Sequence, residues 1–198
     1  PPAERLGRPP AHGSELMPAV AAAMERARVS WGELDAIAVG VGPGAFTGLR
    51  IGVSTARALA RANAIPLRRV SSLAALAAGI PAPLRLPLID ARRGELFAAL
   101  YDGDDERWPP FAAAPGDLVA RLRAAGLVPP AGAGTAGALF PPPAAGDGAH
   151  HPPLAAGDGS VRFRGLLEQA GIPLLNPPTG EAGTVLGLKK PPAPPRVD

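Results

Sequence analysis

The side chains and loops that could do chemistry are few, and they fall into three groups. The first is Gly42-Pro43-Gly44-Ala45-Phe46-Thr47-Gly48, a glycine-rich turn between an apolar run and a helix-like pattern. A phosphate-gripping loop of the G-x-x-x-x-G-K-[ST] type needs a lysine after its last glycine. Here Gly48 is followed by Leu49 and Arg50, and no lysine precedes Lys189. A dinucleotide loop needs G-x-G-x-x-G, and Thr47 stands where its third glycine belongs. Two readings remain. The free N–H groups of a helix start could hold an anion at Gly42, Gly44, Phe46 and Thr47, or the glycines form a tight strand-to-helix turn.

The second group is the histidines His12, His150 and His151. Adjacent histidines point different ways in any regular element, and His12 stands alone, so no metal site is expected. The third is the charged run Asp90-Ala91-Arg92-Arg93-Gly94-Glu95. It offers a carboxylate pair for acid–base work, or a salt-bridged cluster that fixes a turn. No Ser-His-Asp grouping can be assembled from histidines placed like these.

Positioning these groups takes a chain of 198 residues, of which 46% are hydrophobic and only 4% aromatic. That suffices for one large domain or two small ones. There is no cysteine, which excludes disulfides and thiol chemistry. No apolar run approaches the ~18 residues of a membrane span, and no signal-peptide core is evident. A cytoplasmic protein without membrane contact or cofactor is the expectation. The net charge of +3 comes almost entirely from arginine. The bias toward Arg, Ala, Gly and Pro reads as compositional, because a nucleic-acid patch requires basic residues clustered on one face. Arg121 with Arg123, and Arg162 with Arg164, read as solvated helix charges.

Strands alternate with helices, so the class is α/β. A helix is expected over 14–28, with Ser14 as cap and Pro18 in its first turn. Leu16, Val20 and Met24 form its stripe, widened by Met17 and Ala21. Ser30 and Glu33 have capping-box spacing. Residues 36–41 read as a buried strand headed by Asp35, and 48–63 as a helix. Leu49, Val53, Ala56 and Ala60 lie along one side of it, beside a small-residue face of Gly52, Thr55, Ala56 and Leu59. A strand at 65–70, a helix capped by Ser71 or Ser72, and strands at 86–89 and 95–102 follow. A helix over 117–125 is capped by Asp117 and closed by Gly126. Residues 129–156 read as irregular, with a last helix from Ser160 to Gly171. Residues 1–11 and 176–198 read as flexible.

Five segments, in order, resemble the TsaB family of tRNA threonylcarbamoyladenosine biosynthesis subunits, within the TsaD or glycoprotease-like group. They are HGSELMPAV, LDAIAVGVGPGAFTGLRIGVSTARALA, IPLRRVSSLAALA, LPLIDARRGELFAALYDG and GDGSVRFRGLLEQAGIPL. The resemblance implies the actin-like, Hsp70-like (ribonuclease H-like) superfold with two lobes, here 12–84 and 85–174. The catalytic relative, TsaD, carries a metal-binding Asn-His-Met-Glu-Gly-His motif. Laid against VSSLAAL, its two histidines fall on Ser72 and Leu76, neither of which can replace an imidazole.

The resemblance therefore implies a non-catalytic subunit. It would pair with a TsaD-like catalytic subunit, alongside a TsaE-like ATPase, and meet tRNA only through that complex. The family pairs through its first two helices, which map to 14–28 and 48–63. Leu16, Met17, Val20, Met24, Leu49, Gly52, Val53 and Ala56 are then the expected partner surface, also open to homodimerisation. Family members begin with an Asp-Thr strand that this sequence lacks, so the amino-terminal lobe is expected to be incomplete. A metal- or ATP-dependent glycoprotease-like enzyme, or a degraded remnant without function, are the alternatives.

Overall fold

The computed structural model describes residues 12–130 and 152–175. Its first element is helix α1 (His12–Ala27). Leu16, Val20 and Met24, spaced at the helical period, are half-buried. The helix starts before Ser14, so Ser14 is not its cap, and Pro18 lies inside it rather than in the first turn. A one-turn 3-10 segment (Trp31–Glu33) follows. There the Glu33 carboxylate accepts the Ser30 hydroxyl at 2.6 Å and the Ser30 N–H at 2.8 Å. Those two bonds hold its pKa below the ordinary value.

Parallel strands need a crossover, which is usually a helix. Strand β1 (Ile37–Gly40) passes through the glycine loop into α2 (Phe46–Ala62) and returns along β2 (Leu67–Val70). β1 and β2 pair in parallel, Ile37 beside Leu67 and Gly40 beside Val70. α2 packs on both strands, and α1 packs on α2. The strand expected to be buried throughout has only Val39 buried, because the two-stranded sheet offers little cover.

Helix α3 (Ser72–Ala78) is capped by Ser71, whose Oγ accepts the Ala74 N–H at 3.4 Å. A four-stranded sheet follows, built from β3 (Leu84–Arg92), β4 (Glu95–Asp102), β5 (Asp105–Ala113) and β6 (Leu154–Ala156). Its order is β5-β4-β3-β6, with β6 parallel to β3 and the other pairs antiparallel. Side chains alternate across it, as the strand period requires. Leu86, Leu88, Leu96, Ala98 and Leu100 face helix α4 (Pro115–Ala124) and helix α6 (Arg164–Gln169). On the other face Ala99 and Tyr101 meet Leu73 and Ala77 of α3, so the helix expected in the first lobe packs on the second sheet.

Several expectations need correction. Residues 154–156, placed in an irregular stretch, form β6, held by pairing to β3 and by Ala155 N–H to the Pro173 carbonyl at 2.9 Å. β5 was not anticipated, because Pro109 and Pro110 break any strand pattern, yet an edge position tolerates them. The cap of α4 is Ala114, with Pro115 at the helix start, and not Asp117. The helix expected from Ser160 is two segments, α5 (Asp158–Arg162) and α6. Arg121 is not merely a solvated charge: its guanidinium lies 4.3 Å from the Trp108 and Phe111 ring centres. Residues 1–11, 131–151 and 176–198, with His150 and His151, lie outside the described residues.

Candidate interaction site at the glycine loop and the helix pair

The glycine loop is stitched from both ends. The Val41 N–H donates to the Val70 carbonyl at 2.9 Å, and the Gly42 carbonyl accepts the Ser72 N–H at 2.9 Å. Gly42 has φ +101, a conformation that strains any side chain, and it is buried. A Cβ there would also lie 3.0 Å from Leu49 Cδ1. Gly42 is therefore the pivot of a tight turn that seats the first turn of α2. Of the other anion-site candidates, Gly44 is half-buried, and Phe46 and Thr47 are exposed. Phe46 is 72% exposed and packs only loosely, with the Arg50 guanidinium 5.4 Å from its ring centre.

Helix α2 presents three distinct sides. Ala56 and Ala60 are buried, and Leu49 reaches back to the glycine loop, so this side belongs to the chain's own core. Gly52 and Val53 flank that side on its opposite edges; both are half-buried, and a Cβ on Gly52 would meet nothing within 4 Å. The third side, with Thr47, Arg50, Ile51, Ser54 and Thr55, lines an open groove of about 390 Å³. On α1, Leu16, Val20 and Met24 are half-buried and Met17 is 44% exposed. None of the side chains described on α1, from Ser14 to Ala27, is buried. The eight expected surface residues thus share one helix pair, but Ala56 is buried and Leu49 turns toward the glycine loop.

The charged run at 90–95 is a hairpin, with Arg93 and Gly94 at its tip and both at positive φ. Positive φ at both tip residues suits a two-residue hairpin turn. The Asp90 carboxylate accepts the Arg92 N–H at 2.8 Å and an Arg162 guanidinium nitrogen at 2.6 Å. The reading as a turn-fixing salt bridge holds, and it extends to Arg162, which is therefore not simply solvated. Burial pushes the Asp90 carboxyl pKa upward. The Arg162 bond, the Arg92 N–H and the two positive charges outweigh it and leave the pKa below the ordinary value. The reciprocal link is the Asp158 carboxylate, which accepts the Asp90 N–H at 3.0 Å.

That link was not legible in the sequence. It requires Gly157 (φ +115), where a Cβ would lie 2.1 Å from the Leu88 carbonyl oxygen. Gly159 is nearly as tight, with the Leu88 carbonyl carbon 3.0 Å from the same position. Ser72 and Leu76 occupy successive turns of α3, and Leu76 also crowds Gly157. Among the described residues no three His, Cys, Asp or Glu side chains converge, and no helix is long and apolar enough to cross a membrane.

Comparison with known proteins adds to this geometry. A family model described as TsaD, tRNA N6-adenosine threonylcarbamoyltransferase, matches residues 9–156. The tRNA threonylcarbamoyladenosine biosynthesis protein TsaB of Bacillus subtilis is 41% identical over 92 residues, 46% of this chain and 40% of that protein. The protein of the same description from Escherichia coli is 37% identical over 101 residues, 49% of this chain and 44% of that one. A solved structure of YeaZ from Pseudomonas aeruginosa superposes with a TM-score of 0.56 at 28% identity, covering 86% of this chain and 69% of that one. The chain spans between 25% and 44% of the length of such curated relatives.

Proposed function

We infer a function from one premise: the chain belongs to the TsaD family, that of the tRNA N6-adenosine threonylcarbamoyltransferases, and within it is TsaB-like. Its fold is the actin-like, ribonuclease H-like one. We propose that it serves threonylcarbamoyladenosine formation on tRNA as a non-catalytic subunit that binds and activates a TsaD-like catalytic subunit.

The observation that carries this reading is the helix pair. α1 has an apolar stripe, yet none of its described side chains is buried. Apolar surface left in water is unfavourable by about 25 cal/mol per Å², so a covering partner is the physical expectation. Leu16, Met17, Val20 and Met24 on α1, with Gly52 and Val53 on α2, are the proposed contact. Leu49 supports it from beneath. Small residues such as Gly52 let a second helix approach closely, and complementary packing is all such an interface needs. Ser72 and Leu76 stand where the catalytic relative's motif has its histidines, which favours the non-catalytic role. In the larger assembly the proposal includes a TsaE-like ATPase, and the free protein could pair with itself through the same helices.

Reconstitution tests the proposal. The chain is combined with the TsaD-like and TsaE-like subunits of one organism, a threonylcarbamoyl donor and unmodified tRNA, and modified adenosine is measured. The expected result is modification only when this chain and the catalytic subunit are both present. Modification by this chain without the catalytic subunit, together with stoichiometric metal or micromolar ATP binding, would make it the enzyme instead.

A further inference from the structure

Between Asp35 and Asp90 the chain has six arginines and no carboxylate. Three of the six, Arg50, Arg57 and Arg61, lie on α2 at spacings of seven and four. At 3.6 residues per turn they fall within an arc of about 40° and along about 16 Å of helix. All three are exposed, and among the described residues none of them is in an ion pair. Elsewhere the pattern differs: Arg107, Arg162 and Arg164 each meet a carboxylate. Arg50 lines the α2 groove, where Thr47 and Ser54 add hydroxyl groups on the same side of the helix, and Arg57 and Arg61 continue the row beyond the groove. The small-residue side with Gly52 lies further round the helix.

We propose that this face of α2 is an RNA-backbone contact, with Arg50, Arg57 and Arg61 on phosphates of one strand and the Thr47 and Ser54 hydroxyls bonding phosphate or sugar oxygens. Arginine and hydroxyl side chains are the groups that meet phosphate in nucleic-acid complexes. An unpaired basic row of this length is complementary to a polyanion, and a phosphate strand supplies regularly spaced negative charge. The occupant is the tRNA of the proposed function, so the inference rests on that reading. It goes further by giving this chain a direct contact with the substrate, rather than one made only through the other subunits.

The test is binding of an unmodified tRNA transcript to the full chain across a salt series. Each phosphate contact adds about 0.7–0.9 to the slope of log affinity against log salt. The double variant Arg57→Gln/Arg61→Gln should flatten that slope by about 1.4–1.8, each single variant by about half as much, and Arg57→Lys/Arg61→Lys should restore it. The control Arg107→Gln/Arg164→Gln removes the same charge from paired positions and should leave the slope unchanged. Capture of the TsaD-like subunit is measured on the same proteins and should not change. An unchanged slope in the Gln double variant, or equal flattening by the control, overturns the inference. So does displacement of the tRNA by inorganic phosphate of equal total charge. If the Gln double variant loses the catalytic subunit but keeps its tRNA slope, the row is a protein contact. The inference then fails while the proposed function stands.

Discussion

The two halves of the molecule are buried to very different depths. Around the four-stranded sheet, Leu86, Leu88, Leu96, Leu100, Leu118, Leu122 and Leu167 are wholly inaccessible, between helices on one face and α3 on the other. Around the two-stranded sheet the most deeply buried residues, Val39, Ala56 and Ala60, keep 7–9% of their surface. The deep half holds itself together, with internal ties such as Asp90–Arg162. The shallow half holds the half-buried apolar stripe of α1 and the unpaired arginines of α2. Surface that a chain does not use on itself is where a partner can act, and the helix pair carries exposed Met17 and Phe46 together with the unpaired arginines of α2.

The sharpest way to break this contrast is Gly157→Ala. The added Cβ would overlap the Leu88 carbonyl, a backbone clash at a positive φ, so a loss above about 4 kcal/mol is expected. Denaturant unfolding reads it; a loss below 1 kcal/mol would mean α5 is not seated on β3. Next, Leu88→Ala should cost about 2–5 kcal/mol, whereas Val39→Ala in the shallow half should cost less than about 2. Equal costs would erase the distinction between the halves.

The smallest effect is electrostatic. The Asp90 pKa is lower in the folded chain than in the unfolded one. Its contribution is therefore fully present above the ordinary carboxylate pKa, and is lost as pH falls through the lower folded value. Asp90→Asn should cost about 1 kcal/mol at neutral pH and converge on wild type in acid. Unfolding curves at pH 7 and at a series of pH values descending from the ordinary carboxylate pKa check this, and a gap that never narrows would assign the effect to packing instead.

The sequence was most readable where a local rule and the tertiary structure agree. The apolar run, glycine turn and helix of β1, the loop and α2 follow that rule, as does the capping box at Ser30 and Glu33. β5 was invisible because Asp105-Glu106-Arg107-Trp108-Pro109-Pro110 has no alternation. It is a strand because β4 pairs with it and Arg121 packs on Trp108 and Phe111. β6 is three residues long, too short for any period, and exists only through β3. On α2 the helix was legible but its orientation was not. Periodicity sets Leu49, Ala56 and Ala60 on one side, but does not say that this side faces the chain's own sheet. The same limit hid the arginine row, whose meaning depends on which side of α2 is left open. Membership of the family rests on a match that runs over residues 9–156 and not on any one element.

The central claim, that the helix pair is a protein interface, is tested most directly at Gly52. A Cβ there meets nothing within 4 Å in this chain, so Gly52→Arg is expected to leave the fold intact while blocking close helix approach. Titration of wild type, Gly52→Arg and Val20→Arg against the TsaD-like subunit, with thermal unfolding in parallel, separates binding from stability. The account predicts at least a tenfold loss of affinity for Gly52→Arg, about 1.4 kcal/mol, at an unchanged unfolding temperature. Wild-type affinity in both variants would contradict it.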